Sequence, residues 1–367
     1  MDSRPPAPPP QHAAYLAQQH FGSLDGVRAC AVLAVIWHHT VPYQYFALPI
    51  TNRGFLGVDL FFVLSGFLIV TLLLRERARR GAISLRRFYA RRTLRIFPVY
   101  YALLAAFAAL YLLQPNAGSA TAYWRELPYY LSYTSNWIEA GVLPIAWSLA
   151  AEEQFYLLWP PVERFARRLA VPLILAVIGL SQAVNFGLLD DWLQTWIGPH
   201  ALSLEIVQAT FTPIALGVLL AHALHRPAGF TRVHRWLGGA ASPLLVGAAL
   251  LAAMNWPGED LSGLPRLSIQ LLMALFLASL VLREEHALRR LLRARPLQHL
   301  GRISYGMYLF HLYIAYAAAK FVAKLPAPAA SPVLTFLFAS LATAAVATLS
   351  FRYFETPILR WKDRFRA

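Results

Sequence analysis

The chain reads as an all-α, polytopic transmembrane helical bundle, and three observations carry that reading. Of 367 residues, 58% are apolar and only 14% charged, and the mean hydropathy is +0.47. That balance requires most of the surface to meet lipid rather than water. The apolar residues recur in blocks of roughly 18 to 22, about the helical length that crosses a bilayer core at 1.5 Å per residue. The basic residues segregate between alternate connections, the pattern that fixes orientation in a membrane.

Ten blocks begin near Leu24, Gly54, Ile96, Ile145, Leu169, Leu204, Leu237, Leu267, Ile303 and Val333, which predicts about ten spans. With the amino terminus inside, alternation leaves only Arg53, Arg125, Arg266, Lys320 and Lys324 of the 33 Lys and Arg on the far side. Both termini are therefore expected in the cytoplasm. Residues 1–22, with prolines from Pro5 to Pro10, are expected to be a disordered cytoplasmic tail. They carry no basic n-region with a cleavage site, so the first span should be retained. Residues 23–357 form one transmembrane domain, and residues 358–367 a basic cytoplasmic tail. The expected location is the cell (cytoplasmic) membrane, as a multi-pass protein.

The net charge of +15 is accounted for by topology, so no nucleic-acid partner is expected. A single cysteine, Cys30, excludes an intrachain disulfide and a Cys-based metal framework. No phosphate-binding loop, dinucleotide fingerprint, His-Glu-x-x-His helix or Gly-x-Ser-x-Gly elbow is present, and no metal site is expected. No internal repeat is evident, which weakens a transporter reading.

Ionisable groups within spans are costly and face a bundle interior or a wet cavity, so they are where chemistry is to be sought. In the first block Arg28 and His39 lie eleven positions apart, nearly whole turns, so they share a face about 16 Å apart. A deep imidazole can act as a general base, and a shallow guanidinium can hold an anion. On spacing alone, an interhelical hydrogen bond for His39 and snorkelling for Arg28 have equal standing. His38 projects about 100° away and reads as packing.

The second block carries Asp59 near its outer end, able to orient an imidazole or bind a sugar hydroxyl, or else to serve as an outer-end cap or ion pair, and Gly57 and Gly66, which allow close helix approach. Residues 75–95 contain nine arginines. Arg92 and Arg95, three apart, share a helical face and can grip phosphates, whereas the run as a whole also suits anionic lipid. In the fourth block Ser148, Glu152 and Tyr156 follow i, i+4, i+8 spacing and form one polar stripe, with Glu153 about 100° away. Trp147 is either an interface anchor or a stacking surface for a sugar. His311 in the ninth block and Glu355 near the end read as structural.

Taken together, residues 23–39, 57–67, 91–101, 147–156, 304–311 and 354–357 resemble the membrane-bound acyltransferase 3 family, in the expected order over nearly the whole chain. The family's Arg, ten residues, His pattern matches Arg28 and His39. Its Arg-x-x-Arg element matches Arg92 and Arg95, and the glutamate of its Trp-x-Leu-x-x-Glu element matches Glu152. The resemblance implies an O-acyltransferase that uses a cytoplasmic acyl-CoA, of which acetyl-CoA is the leading case, and a saccharide or glycolipid acceptor at the bilayer. It implies catalytic roles for His39 and Glu152 and donor binding by Arg28, Arg92 and Arg95; the polar positions read above add Asp59, Trp147, Ser148 and Tyr156 as expected acceptor contacts. Direct proton abstraction by His39 and a transient acyl-histidine both remain open, as do a tautomer-setting and an acceptor-binding role for Glu152. The alternative from another class is a small-molecule exporter or permease with an intramembrane His and Glu proton relay.

Overall fold

The structure is a computed structural model that describes residues 10–208, 211–258, 261–326 and 331–361. Among the described residues every regular element is helical. In chain order the α-helices are α1 (Pro10–Ala17), α2 (Ser23–Thr40), α3 (Leu56–Arg80), α4 (Leu85–Leu113), α5 (Ala120–Leu131) and α6 (Ala146–Phe165). Then come α7 (Ala170–Asn185), α8 (Asp190–Ile197), α9 (Glu205–Gln208), α10 (Thr212–His225), α11 (Pro227–Leu237) and α12 (Ser242–Ala253). The last are α13 (Leu264–Val281), α14 (Arg289–Leu292), α15 (Arg295–Val322), α16 (Pro332–Ser350) and α17 (Thr356–Arg360).

Local chemistry sets the boundaries. α3 stops where Gly81 adopts φ 75° and its N–H closes on the Arg77 carbonyl, a left-handed cap that glycine takes without a Cβ penalty. Ser84 then accepts from the Arg87 N–H and opens α4. Arg92 and Arg95 consequently stand on a helix rather than in a loop.

The centre is built from close helix crossings. A Cβ on Gly66 of α3 would sit 2.0 Å from the Ile214 carbonyl oxygen, and one on Gly217 of α10 would sit 2.3 Å from that of Val63. Only glycine permits that approach, which brings α3 and α10 into backbone contact. Around this centre α4, α6, α7 and α16 present large apolar side chains outward, including Leu113, Leu158, Leu180 and Leu341. In water each would forgo roughly 1.5–3 kcal/mol of burial, so these faces belong against lipid.

Four helical segments are long and apolar enough to cross a membrane: Leu56–Arg80, Leu85–Leu113, Leu264–Val281 and Pro332–Arg360. Two bent pairs, α7 with α8 at 90° and α11 with α12 at 75°, raise the number to six. The chain is thus a multi-pass membrane protein, with four to six spans on length and apolarity where the sequence reading has about ten. The difference has a physical origin. Among the described residues each of the ten apolar blocks contains helix, but α2, α6 and α15 carry the ionisable residues that lower their apolarity, and α10 has only 14 residues.

One expectation is corrected. Residues 10–22 are not the disordered tail that their composition suggests, because Pro10–Ala17 is helical and packed. His12 Nε2 donates to the Leu224 carbonyl at 3.1 Å, and the Tyr15 ring lies 5.5 Å from Phe230. Arg75, buried, donates to the carbonyls of Tyr15 and Gln18, which satisfies the end of α1. Residues 1–9 and 362–367 lie outside the described residues, and residues 358–360 continue α17.

Candidate active site

α2, α3, α4, α6 and α15 enclose a cavity of about 910 Å³. On α3 its lining runs from Val58 to Arg75, so the cavity follows that helix for about 25 Å at 1.5 Å per residue. The polar lining is unusual for a lipid-embedded bundle: Arg28, Arg75, Arg92, Arg95 and Arg302 face Asp25, Glu152 and Glu153. Five cations against three carboxylates leave an excess of positive charge, which a multiply anionic ligand would neutralise.

Glu152 sits in the middle of the cavity. Its carboxylate accepts from the Ser65 hydroxyl of α3 and the Tyr156 hydroxyl one turn further along α6. The Arg92 guanidinium lies over the Tyr156 ring at 3.8 Å, so Arg92, Tyr156, Glu152 and Ser65 form one continuous polar contact between α4, α6 and α3. Arg95 is 5.8 Å from the Phe351 ring and donates to the Arg302 carbonyl at 3.2 Å. Arg28 pairs with Asp25 at 2.7 Å. Asp25 in turn stands 3.5 Å from His20. α15 approaches α2 here because Gly301 has no side chain, as a Cβ would meet the Asp25 carbonyl oxygen at 1.9 Å.

At the opposite end Ser148 Oγ and Tyr308 Oη are 2.6 Å apart. Beyond them lies a pair of histidines. The Tyr308 ring is 5.5 Å from that of His311, and His311 is 4.9 Å from His39. His39 is exposed and lies outside the cavity lining, one layer of side chains away. Its Nδ1 is 2.8 Å from the Val35 carbonyl. A carbonyl only accepts, so Nδ1 carries the proton and Nε2 holds the lone pair. Val35, rather than Glu152, therefore fixes this tautomer. His38 packs edge-on against Phe55 at 5.5 Å.

The cavity thus brings together Arg28, Arg92, Arg95, Ser148, Glu152 and Tyr156, and leaves out His39 and two further residues grouped with them on sequence. Asp59 is buried and paired with Arg266 at 3.3 Å and with Gln270 at 3.0 Å, so its carboxylate is already committed at the end of α3. Trp147 packs edge-on against Phe62 at 6.1 Å, and of the two it is Phe62 that lines the cavity. Ser65, Tyr305 and Tyr308 line the site without having been singled out as candidates. A signal for part of this group was present, because Ser304, Tyr308 and His311 follow i, i+4, i+7 spacing and share a face.

A second polar cluster lies apart from the cavity. Glu163 near the end of α6 has no exposed surface. It accepts from His222 Nε2 at 2.7 Å and from Trp159 Nε1 at 3.2 Å. Arg77 of α3 stands 3.7 Å from its other oxygen.

Membrane-crossing helices around an arginine-rich cavity that leads toward paired imidazoles define a multi-pass membrane protein with a positively charged internal site. The chain belongs to the acyltransferase 3 family, whose family model, an acyltransferase domain, matches residues 21–352. It is 28% identical to peptidoglycan O-acetyltransferase OatA of Listeria monocytogenes, over 93% of this chain and 56% of that protein. It is also 28% identical to O-acetyltransferase OatA of Staphylococcus aureus, over 93% of this chain and 57% of the relative. The chain spans about half the length of the curated relatives it matches. No solved structure matches it.

Proposed function

We propose that the protein transfers an acetyl group from acetyl-CoA, bound from the cytoplasmic side, to a hydroxyl of a cell-envelope glycan, with peptidoglycan as the leading acceptor. The observation that carries this reading is the elongated cavity that holds Arg28, Arg92 and Arg95 beside Glu152 and ends at Tyr308, against the histidine pair. Phosphates suit the arginines through charge-assisted hydrogen bonds. A long slot suits a donor that is anionic at one end and reactive at the other. The names of the relatives support acetyl as the group and a glycan as the acceptor.

In this reading Arg28, Arg92 and Arg95 hold the donor phosphates, and Arg28 exchanges Asp25 for phosphate when the donor binds. His39 Nε2 takes the proton of the acceptor hydroxyl as its oxygen attacks the thioester carbonyl. The C–O bond forms, the C–S bond breaks, and the proton passes from His39 to the departing thiolate. Glu152, with Ser65 and Tyr156, holds the polar midsection of the site and keeps Arg92 in place through Tyr156. Both termini and the arginine-rich end then face the cytoplasm, and His39 lies toward the acceptor side.

The test is mass spectrometry of envelope glycans from cells with and without the protein, together with release of free CoA by the purified protein in lipid nanodiscs. Loss of O-acetyl esters with the gene, and CoA release that requires added glycan, are the expected results. Passage of unmodified substrate through the bilayer without donor consumption would favour a permease instead.

A further inference from the structure

We propose that His311 is a positioning residue that holds the His39 imidazole in one orientation, so that its Nε2 stands as a free base toward the acceptor. The proposal rests on the reading of His39 as the base, and it assigns a task to a residue that the sequence alone leaves as structural.

His311 on α15 has no exposed surface, and hydrogen-bond partners at both ring nitrogens offset the cost of burying an imidazole. Its Nδ1 lies 2.6 Å from the Tyr308 carbonyl. Since a carbonyl can only accept, that nitrogen carries the proton, and Nε2 of the neutral ring presents a lone pair. The lone pair faces His39 Nδ1 at 3.3 Å. His39 Nδ1 is protonated for the same reason, being 2.8 Å from the Val35 carbonyl. One N–H is thus shared between two acceptors, one on its own helix and one on α15.

The two acceptors divide the task. Val35 lies one turn back on α2 and is sufficient to decide which nitrogen carries the proton. It does not fix where an exposed ring points, because the side chain can turn about its own bonds while the helix stays still. The second acceptor comes from a different helix, and the two rings meet at 64°, so the imidazole is held from two directions. When His39 takes a proton, its Nδ1–H becomes a charge-assisted donor and the bond to His311 strengthens. That gain occurs as the transferred proton arrives, which is when it aids turnover. The arrangement has the logic of a base oriented by a third group, with a neutral acceptor in place of a carboxylate. His311 is also joined to the donor cavity, since the residue whose carbonyl it bonds, Tyr308, hydrogen-bonds Ser148 at the end of the cavity.

The experiment compares wild type, His39→Ala, His311→Phe, His311→Gln and His311→Asn in nanodiscs, with labelled acetyl-CoA and a soluble peptidoglycan fragment as acceptor probe. It measures kcat, donor KM and the thermal midpoint of each. His311→Phe keeps the ring volume and removes the acceptor; its kcat is expected to fall about 100-fold with donor KM unchanged. Gln can place its side-chain oxygen near the position of Nε2 and should recover about tenfold over Phe, whereas Asn is one bond too short and should not. Wild-type kcat in His311→Phe beside an inactive His39→Ala would overturn the proposal. Equal losses in Gln, Asn and Phe that follow a lowered thermal midpoint would overturn it too, since packing alone would then explain them. If His311→Phe fails to fold, the Gln against Asn comparison decides, and equal activity in those two overturns the proposal. An active His39→Ala would instead remove the reading of His39 as base.

Discussion

Glu152 and Glu163 stand eleven residues apart on α6, nearly whole helical turns, yet they occupy opposite kinds of setting. Glu163 is sealed among His222, Trp159 and Arg77, donors from three helices that close around it. Glu152 faces a cavity and takes hydrogen bonds from two hydroxyls, Ser65 and Tyr156. The nitrogen donors around Glu163 tie α3, α6 and α10 together and leave its carboxylate with no exposed surface. The hydroxyls around Glu152 can exchange partners when a ligand enters the cavity. A carboxylate in a membrane bundle therefore signals chemistry only where its surroundings leave room for a reactant.

Replacement of the sealed carboxylate should have the largest effect. Glu163→Ala leaves His222 without its acceptor and Arg77 without the carboxylate it faces at 3.7 Å, and breaking a buried pair of this kind costs about 3–5 kcal/mol. The expected outcome is a sharp loss of folded protein and thermal stability in detergent, with donor affinity preserved in the fraction that folds. A stable but inactive Glu163→Ala would erase the distinction between the two sites. Glu152→Gln should do the reverse. It keeps size and hydrogen bonding, so the thermal midpoint should stay near wild type while turnover falls about 100-fold, or about 2.7 kcal/mol. A matching loss of stability would make Glu152 a second structural carboxylate. The smallest effect belongs to the cavity's cations. Arg92→Gln or Arg95→Gln should each weaken acetyl-CoA binding about tenfold, or about 1.4 kcal/mol, with little change in stability. Unchanged donor affinity in both would assign them to lipid headgroups.

Much of this was legible along the chain, and what was hidden shares one cause. Helical periodicity gives the face on which a residue lies. By that argument Ser148, Glu152 and Tyr156 belong to one stripe, and all three line the cavity. Periodicity does not give the neighbour that the face meets. The partners of Glu163 come from α3 and α10, and those of Asp59 from α13, so neither cluster could be read from local spacing. Arg75 shows the same limit, since it belongs to the arginine-rich run by sequence but folds inward to cap α1. The span count departs from the sequence reading partly because α2, α6 and α15, three of the helices around the cavity, carry polar residues that lower their apolarity, while α3 and α4 beside them remain apolar enough to be counted.

The most direct test of the account is acyl transfer from labelled acetyl-CoA by wild type, His38→Ala and His39→Ala at matched membrane levels. His39 has a free Nε2 and the His311 contact, whereas His38 is packed against Phe55. The account predicts that His39→Ala inserts normally but loses activity about 1000-fold, and that His38→Ala keeps most of its activity. Full activity in His39→Ala, or a loss confined to His38→Ala, would contradict it.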